Sequence, residues 1–234
     1  MFNDEDRILV VAAHPDDEVL AMGGLLSLAK KNKLPVSVLF LGEGVSARFA
    51  KTQFSSAELY EAHEIRMEGA KKALKFLGVE NIKYGKHLCC RFDGVENLDL
   101  VKSIESKIDE FKPTQIYTHN PIEVNIDHRL TYQAVETAVR PKPGLSVKKI
   151  YSFEIPCSGN WTFDGSFKPN TYVNIESVWE EKLFAWRCYE GEERPFPFPR
   201  SDKGLEVLAN YRGMQSGIRL AEAFKLLRHT AVES

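Results

Sequence analysis

Two short stretches of the chain carry residue types that can hold a metal ion and activate water. The first, Ala13-His14-Pro15-Asp16-Asp17-Glu18, places one imidazole and three carboxylates directly after the apolar run Ile8-Leu9-Val10-Val11-Ala12. His14 and Asp17 supply a neutral nitrogen and an anionic oxygen three residues apart, a pair suited to zinc. Pro15 fixes its own φ and drives His14 toward extended backbone, so the imidazole projects from a strand end. Two adjacent carboxylates cannot easily reach one ion from a turning backbone. With Asp17 as ligand, Asp16 is free to act as general base. The competing reading is that Asp16 or Asp17 caps a helix beginning near Glu18, where the dipole favours negative charge.

The second stretch runs from Tyr117 to Arg129 and includes His119, Asn120, Glu123, Asn125, Asp127 and His128. It follows the apolar segment Gln115-Ile116-Tyr117 and precedes a helical pattern over 130–139. His128 completes a His-Asp-His set with an open fourth position, the mark of a catalytic zinc site. Asp127 and Asn125 then orient ligands or substrate, and His119 lies at the end of the strand on the same rim.

These residues need strands that deliver them to one edge. Apolar runs at 8–12, 36–41, 88–90, 115–117, 149–153 and 172–175 read as strands, and 3.6-residue periodicity marks helices at 18–31, 97–111, 177–188 and 201–210. A longer helix starts from a capping box, Ser55 with Glu58, and ends at Leu77 before Gly78. Residues 221–227 read equally as helix or edge strand. Alternation of the two element types argues for one α/β domain, a Rossmann-like, mainly parallel sheet flanked by helices over 1–234. Its core occupies 1–153, with loops and helices of 154–234 completing a site at the carboxyl ends of the strands. Gly42-Glu43-Gly44 suits a tight loop on that rim, which makes Glu43 a candidate substrate contact. The polar segment 48–56, with Phe49 and Phe54, reads as a mobile loop. Trp161, on a loop over 155–168, can stack on a sugar face or simply pack. Pro195-Phe196-Pro197-Phe198-Pro199 reads as an ordered loop over the site.

Composition narrows the classes. The 234 residues are 43% hydrophobic and 27% charged, with a formal net charge of −2, which leaves no basic footprint for nucleic acid. No apolar run approaches the ~20 residues that span a bilayer, and the acidic start Met-Phe-Asn-Asp-Glu-Asp has no signal-peptide pattern. A cytoplasmic protein is the expectation, and a homo-oligomer stays open. Of the four cysteines, Cys89 and Cys90 are adjacent and no C-x-x-C occurs; free thiols are the simplest reading, with Cys157 near the site.

Ala-His-Pro-Asp-Asp-Glu together with the later Asn-x-Asp-His resembles the zinc-dependent N-acetylglucosaminyl deacetylases of the PIG-L or LmbE family. Arg66-x-Glu68, Phe92-Asp93-Gly94, Ala138-x-Arg140-Pro141, Tyr189-x-x-Glu192 through Arg200-Ser201, Tyr211-Arg212-Gly213 and Ala221-Glu222-Ala223-Phe224 resemble further stretches of that family, so the likeness spans nearly the whole chain. It implies a metal-dependent hydrolase that removes acetyl from an N-acetylglucosamine-type sugar, with Zn2+, or another divalent ion such as Fe2+, on His14, Asp17 and His128. It also implies Arg66 facing the site, where it positions acidic neighbours or sugar hydroxyls, and Asp93 accepting from substrate hydroxyls. A non-catalytic carbohydrate- or nucleotide-binding protein, or a hydrolase of another amide, are the alternatives. One departure matters: many relatives carry a histidine where this chain has Asn125. An amide can donate to an oxyanion but cannot deliver a proton, so the acid is either Asp16 in double duty or His119.

Overall fold

The computed structural model describes residues 2–231. Its centre is a seven-stranded sheet in the order β3-β2-β1-β4-β5-β7-β6, made of β1 (Ile8–Ala12), β2 (Val36–Gly42), β3 (Asn81–His87), β4 (Gln115–Thr118), β5 (Lys149–Phe153), β6 (Thr171–Asn174) and β7 (Ala221–His229). β3, β2, β1, β4 and β5 pair in parallel. β7 runs antiparallel to both β5 and β6. Six helices flank the sheet: α1 (Asp17–Lys31), α2 (Ala57–Phe76), α3 (Asn97–Phe111), α4 (Ile126–Ala138), α5 (Trp179–Arg187) and α6 (Asp202–Met214).

β1 is apolar at every position because both of its faces are covered. Ile8, Val10 and Ala12 pack into a core with Leu25, Ala70, Leu74 and Trp186 of α1, α2 and α5. Leu9, Val11 and Ala13 pack the other way, on Ile104, Ile108, Ala134 and Val135 of α3 and α4. The chain leaves β1 toward β2 on one side and returns to β4 on the other. The crevice beyond the carboxyl ends of β1 and β4 is therefore a topological switch point, where open α/β sheets bind ligands. His14 follows β1 and His119 follows β4, so both functional stretches open onto that crevice.

Several expectations shift. The third strand is 81–87, not 88–90: β3 is a sheet edge, its residues are only part-buried or exposed, and its polar sequence hides it. Leu88, Cys89 and Cys90 instead form the turn after it. The α2 cap is Ser56, whose hydroxyl accepts from Leu59 N–H, rather than Ser55. Residues 221–227 are strand, and β7 is interior to the sheet. Residues 154–231 thus contribute two strands as well as loops and helices. No helix among the described residues is long and apolar enough to cross a membrane.

α1 bends at Met22, where φ is −147°. The bend frees backbone groups that a buried ion pair takes up. Glu222 of β7 accepts from Gly24 and Leu25 N–H, each at 2.8 Å. Lys182 of α5 donates to Glu222 at 2.6 Å and to the Leu20 carbonyl at 3.0 Å. Gly24 is required by space, since a Cβ there would lie 2.6 Å from Ile175 Cγ2. Removing one member strands the other charge in the interior. Glu222→Ala is expected to lower unfolding free energy by about 3–5 kcal/mol in chemical denaturation; a loss below about 1 kcal/mol would mean that the pair does not hold α1.

Candidate metal centre

His14, Asp17 and His128 converge from the end of β1, the first turn of α1 and the first turn of α4, with ligand atoms all within 4.8 Å of one another. All three side chains are buried. His14 Nε2 lies 2.8 Å from Asp127 Oδ2, which directs its Nδ1 toward Asp17. His128 Nδ1 lies 3.3 Å from Glu123 Oε2, which leaves its Nε2 facing Asp17 Oδ1 at 3.4 Å. Asp17 Oδ1 and His128 Nε2 are buried without any hydrogen-bond partner. Buried polar atoms are normally satisfied, and two orphans pointing at one place, with an imidazole alongside, form a donor set that fits a divalent ion such as zinc.

Two neighbouring groupings, His14-Cys89-Asp127 and His119-Glu123-His128, also bring ligand types together. Their carboxylates are already engaged. Asp127 accepts from Cys90 N–H at 2.5 Å and Phe92 N–H at 3.0 Å, while Glu123 accepts from Ser158 Oγ at 2.5 Å and Asn120 Nδ2 at 3.1 Å. Each of these carboxylates sets the ring orientation of one imidazole, the arrangement that accompanies metal-bound histidine.

The charges follow the burial. Desolvation would raise the Asp17 carboxyl, but the imidazoles of His128, His119 and His14 outweigh it and hold it well below the usual range. Burial lowers His128 to about 4 and also lowers His119, so both rings are neutral near pH 7. For His14, burial is outweighed by Asp127 and the other nearby carboxylates, and its pKa rises. Burial pushes Glu123 up to about 7 and Glu18 to about 8. The Glu18 carboxylate accepts from Asp16 N–H at 3.0 Å and from the Tyr189 hydroxyl.

Asp16 does not cap α1; it has φ 124° and makes no side-chain cap bond. Its Oδ2 accepts from Arg66 Nη1 at 2.9 Å and Arg200 Nη1 at 3.1 Å. Arg66 also donates to the Pro15 carbonyl at 2.6 Å and pairs with Glu192, which in turn holds Arg48 at 2.7 Å. Both arginine contacts with Asp16 fall on one oxygen, leaving Oδ1 for other chemistry. Burial raises the Asp16 carboxyl, and Arg66 and Arg200 oppose that rise. Gly44 closes the rim: its φ is +85°, and a Cβ would lie 3.3 Å from both His14 Cβ and Pro15 Cδ.

The other expected residues divide. Asp127 positions His14. Asn125 is the N-cap of α4, its Oδ1 accepting from Asp127 N–H at 2.9 Å, so its amide nitrogen alone remains to donate. His119 is buried against His128, ring centroids 4.0 Å apart, and its Nε2 accepts from Ala13 N–H at 2.9 Å. Arg66, expected to position acidic neighbours or sugar hydroxyls, lies on acidic neighbours, and Glu43, expected against substrate, is committed inside the protein. Arg66 clamps Asp16, and Glu43 accepts from Val45, Ser46 and Cys89 N–H. Asp93 is exposed, and Trp161 is exposed at the edge of Phe198. Glu123, Arg200 and Glu192 were given no role from sequence. Glu123 lay within a visibly polar segment, and Glu192 and Arg200 bounded a stretch resembling the family, but nothing local pointed to Arg66 or Asp16 as their partners.

The PIG-L family, described as GlcNAc-PI de-N-acetylase, matches residues 9–139, which contain every residue of the His-Asp-His set. The chain belongs to this family. Among curated relatives, a diacetylchitobiose deacetylase of Thermococcus kodakarensis is 27% identical, covering 97% of this chain and 85% of that protein. A probable N-acetyl-alpha-D-glucosaminyl L-malate deacetylase 2 of Bacillus cereus is 30% identical, covering 80% and 84%. A 4-oxalmesaconate hydratase of Pseudomonas putida is 28% identical, covering 79% and 73%. The fold is shared with the N,N'-diacetylchitobiose deacetylase of Pyrococcus horikoshii, at TM-score 0.77 and 21% identity over 96% of this chain and 85% of that one.

In this PIG-L family chain, ligand and orienting residues should separate in metal titrations. His128→Ala is expected to lose stoichiometric zinc, whereas Asp127→Asn should keep it with affinity weakened by roughly 10–100-fold. Equal retention by both variants would remove His128 from the centre.

Proposed function

We propose that the protein is a zinc-dependent N-deacetylase that hydrolyses the acetamide of an N-acetylglucosamine-type sugar or glycoconjugate, releasing acetate and the free amine. The observation that carries this reading is the pair of orphaned ligand atoms, Asp17 Oδ1 and His128 Nε2, set beside a buried carboxylate, Asp16, with one oxygen left unpaired. When bound by His14, Asp17 and His128, the ion supplies Lewis-acid polarisation of water and of the acetamide carbonyl.

The chain's own residues supply the proton traffic. Asp16 Oδ1 accepts a proton from the attacking water, while Arg66 and Arg200 on Oδ2 fix the carboxylate plane and restrain its rotation. The same atom then returns the proton to the amine nitrogen as the C–N bond breaks. Three observations support this double duty. Asn125 has no proton to give, and its oxygen is engaged in a cap. His119 is neutral, enclosed, and holds a backbone N–H on Nε2. Asn125 Nδ2 remains as a neutral donor for the developing oxyanion. Glu18, His119 and Asp127 hold the ligands and the Asp16 backbone in place without entering the chemistry.

The hydratase relative supports a second reading, in which the same activated water adds to a double bond, since a water-activating centre does not define the electrophile. Acetate measurement separates the two. Asp16→Asn is expected to retain zinc while kcat for acetate release falls by about 10²–10⁴-fold, the range for a general base. A near-normal kcat would reassign the proton transfers, and undiminished hydratase activity without acetate would replace the deacetylase reading.

A further inference from the structure

Two thiols meet on the turn after β3, beside the metal centre and outside the chemistry proposed for it. Cys89 and Cys90 Sγ lie 3.9 Å apart. Cys89 is buried, whereas Cys90 is exposed. Cys90 lines a cavity of about 610 Å³ with Lys51, Lys86 and Arg91, and Asp93 is the one acid in that lining. An accessible thiol in electropositive surroundings has the environment of a reactive cysteine rather than a structural one. The hydrogen bond from Cys89 outweighs burial and draws the Cys90 thiol below its usual range, with Arg91 adding to the effect.

Joining these sulfurs would act on one peptide group. The amide between the two cysteines carries the Cys90 N–H, which donates to Asp127 Oδ2 at 2.5 Å. That same oxygen lies 2.8 Å from His14 Nε2. One residue earlier, the Cys89 N–H donates to Glu43 Oε1 at 2.8 Å and Ser46 Oγ at 2.9 Å, so the turn is anchored on both sides. Cys90 has φ +56°, in the left-handed region that side chains other than glycine rarely adopt. Adjacent Cα atoms stand about 3.8 Å apart across a trans peptide, closer than the roughly 4.4–6.8 Å of ordinary disulfides. A bond between these sulfurs therefore requires a twist of the peptide that serves Asp127, and its strain makes it easily reduced.

We propose that Cys89 and Cys90 form a reversible oxidation site, at which a hydroperoxide closes a vicinal disulfide and loosens the hold of Asp127 on His14. The inference rests on the metal centre rather than on the identity of the substrate. The Cys90 thiolate attacks one peroxide oxygen and the O–O bond breaks. Cys90 becomes a sulfenic acid, and the other oxygen leaves, protonated, as an alcohol or water. The Cys89 sulfur then attacks the Cys90 sulfur, the S–O bond breaks, and the hydroxyl departs with the Cys89 proton as water. The two thiols lose two electrons and the peroxide gains them. A dithiol reductant reverses the reaction and is itself oxidised to a disulfide. No metal ligand is modified; the effect passes through the Cys90 N–H.

The test treats the metal-stripped full chain with one equivalent of hydrogen peroxide, then measures peptide masses and zinc affinity. The peptide that holds both cysteines is expected to lose two hydrogen atoms, and the zinc Kd to rise by roughly 10–100-fold, the scale for losing a group that orients a ligand. Dithiothreitol should restore both. Cys90→Ser, at an exposed position, should keep its zinc affinity through the same treatment, and Cys89→Ser should stop at a sulfenic acid on Cys90 that dimedone traps. Free thiols at both positions once the peroxide is consumed, a disulfide with unchanged zinc Kd, or an equal loss of zinc affinity in Cys90→Ser overturns the proposal. If the reduced protein takes up no zinc, the metal reading fails by itself. Hydrogen exchange at the Cys90 amide then decides the oxidation site: faster exchange in a mapped disulfide form upholds it, and unchanged exchange or no disulfide overturns it.

Discussion

Keeping Asp17 ionised in a water-poor crevice is the constraint on which the centre depends. Taking a carboxylate out of water is costly unless it is compensated at short range. Asp17 Oδ2 accepts from His14 N–H at 2.9 Å and has His119 Nε2 at 3.4 Å, while Oδ1 faces His128 Nε2 at 3.4 Å. The imidazoles must in turn be oriented, which is what Asp127 and Glu123 do, and those carboxylates are satisfied by Cys90, Phe92, Ser158 and Asn120. Each layer of compensation recruits another loop. The turn after β3, the segment before α4 and the loop around Ser158 are therefore parts of one electrostatic assembly. A divalent ion on His14, Asp17 and His128 would complete it by satisfying the two atoms that the protein leaves without partners.

The same logic separates Asp16 from Asp17, although they are neighbours. Backbone φ of 124° at Asp16 turns its side chain away from the imidazoles and toward Arg66 and Arg200. One carboxylate is thus surrounded by nitrogen lone pairs and the other by guanidinium groups. The first suits metal ligation, and the second suits a base with a single available oxygen. Glu18 fastens the geometry by accepting the Asp16 N–H while held from the far side by Tyr189.

Much of this was legible in the sequence because the informative residues are local. Ile8–Ala12 followed by His14-Pro15-Asp16-Asp17 exposes both a doubly covered strand and its ligands, and Asp127-His128 marks a second strand-to-helix passage. β3 was missed because an edge strand is under no pressure to be apolar, and 221–227 stayed open between helix and edge strand because a run of Ala, Glu and Phe beside long charged residues has no clear period. Glu43 was assigned to substrate because residue type and rim position cannot reveal a partner, and Arg66 was left between acidic neighbours and sugar hydroxyls. The Cys89 contact of Glu43 and the Asp16 and Glu192 contacts of Arg66 lie tens of residues or more away in sequence. Arg200 follows a proline-rich loop whose sequence says that it is ordered, not that it delivers a guanidinium to Asp16.

The most direct measurement is a zinc titration of metal-stripped protein with acetate release from an N-acetylglucosaminide followed at each addition. A single centre built on His14, Asp17 and His128 predicts no acetate without zinc, a linear rise, and a break at one equivalent. Acetate released at the same rate by stripped and loaded protein would contradict a metal-dependent deacetylase on this site.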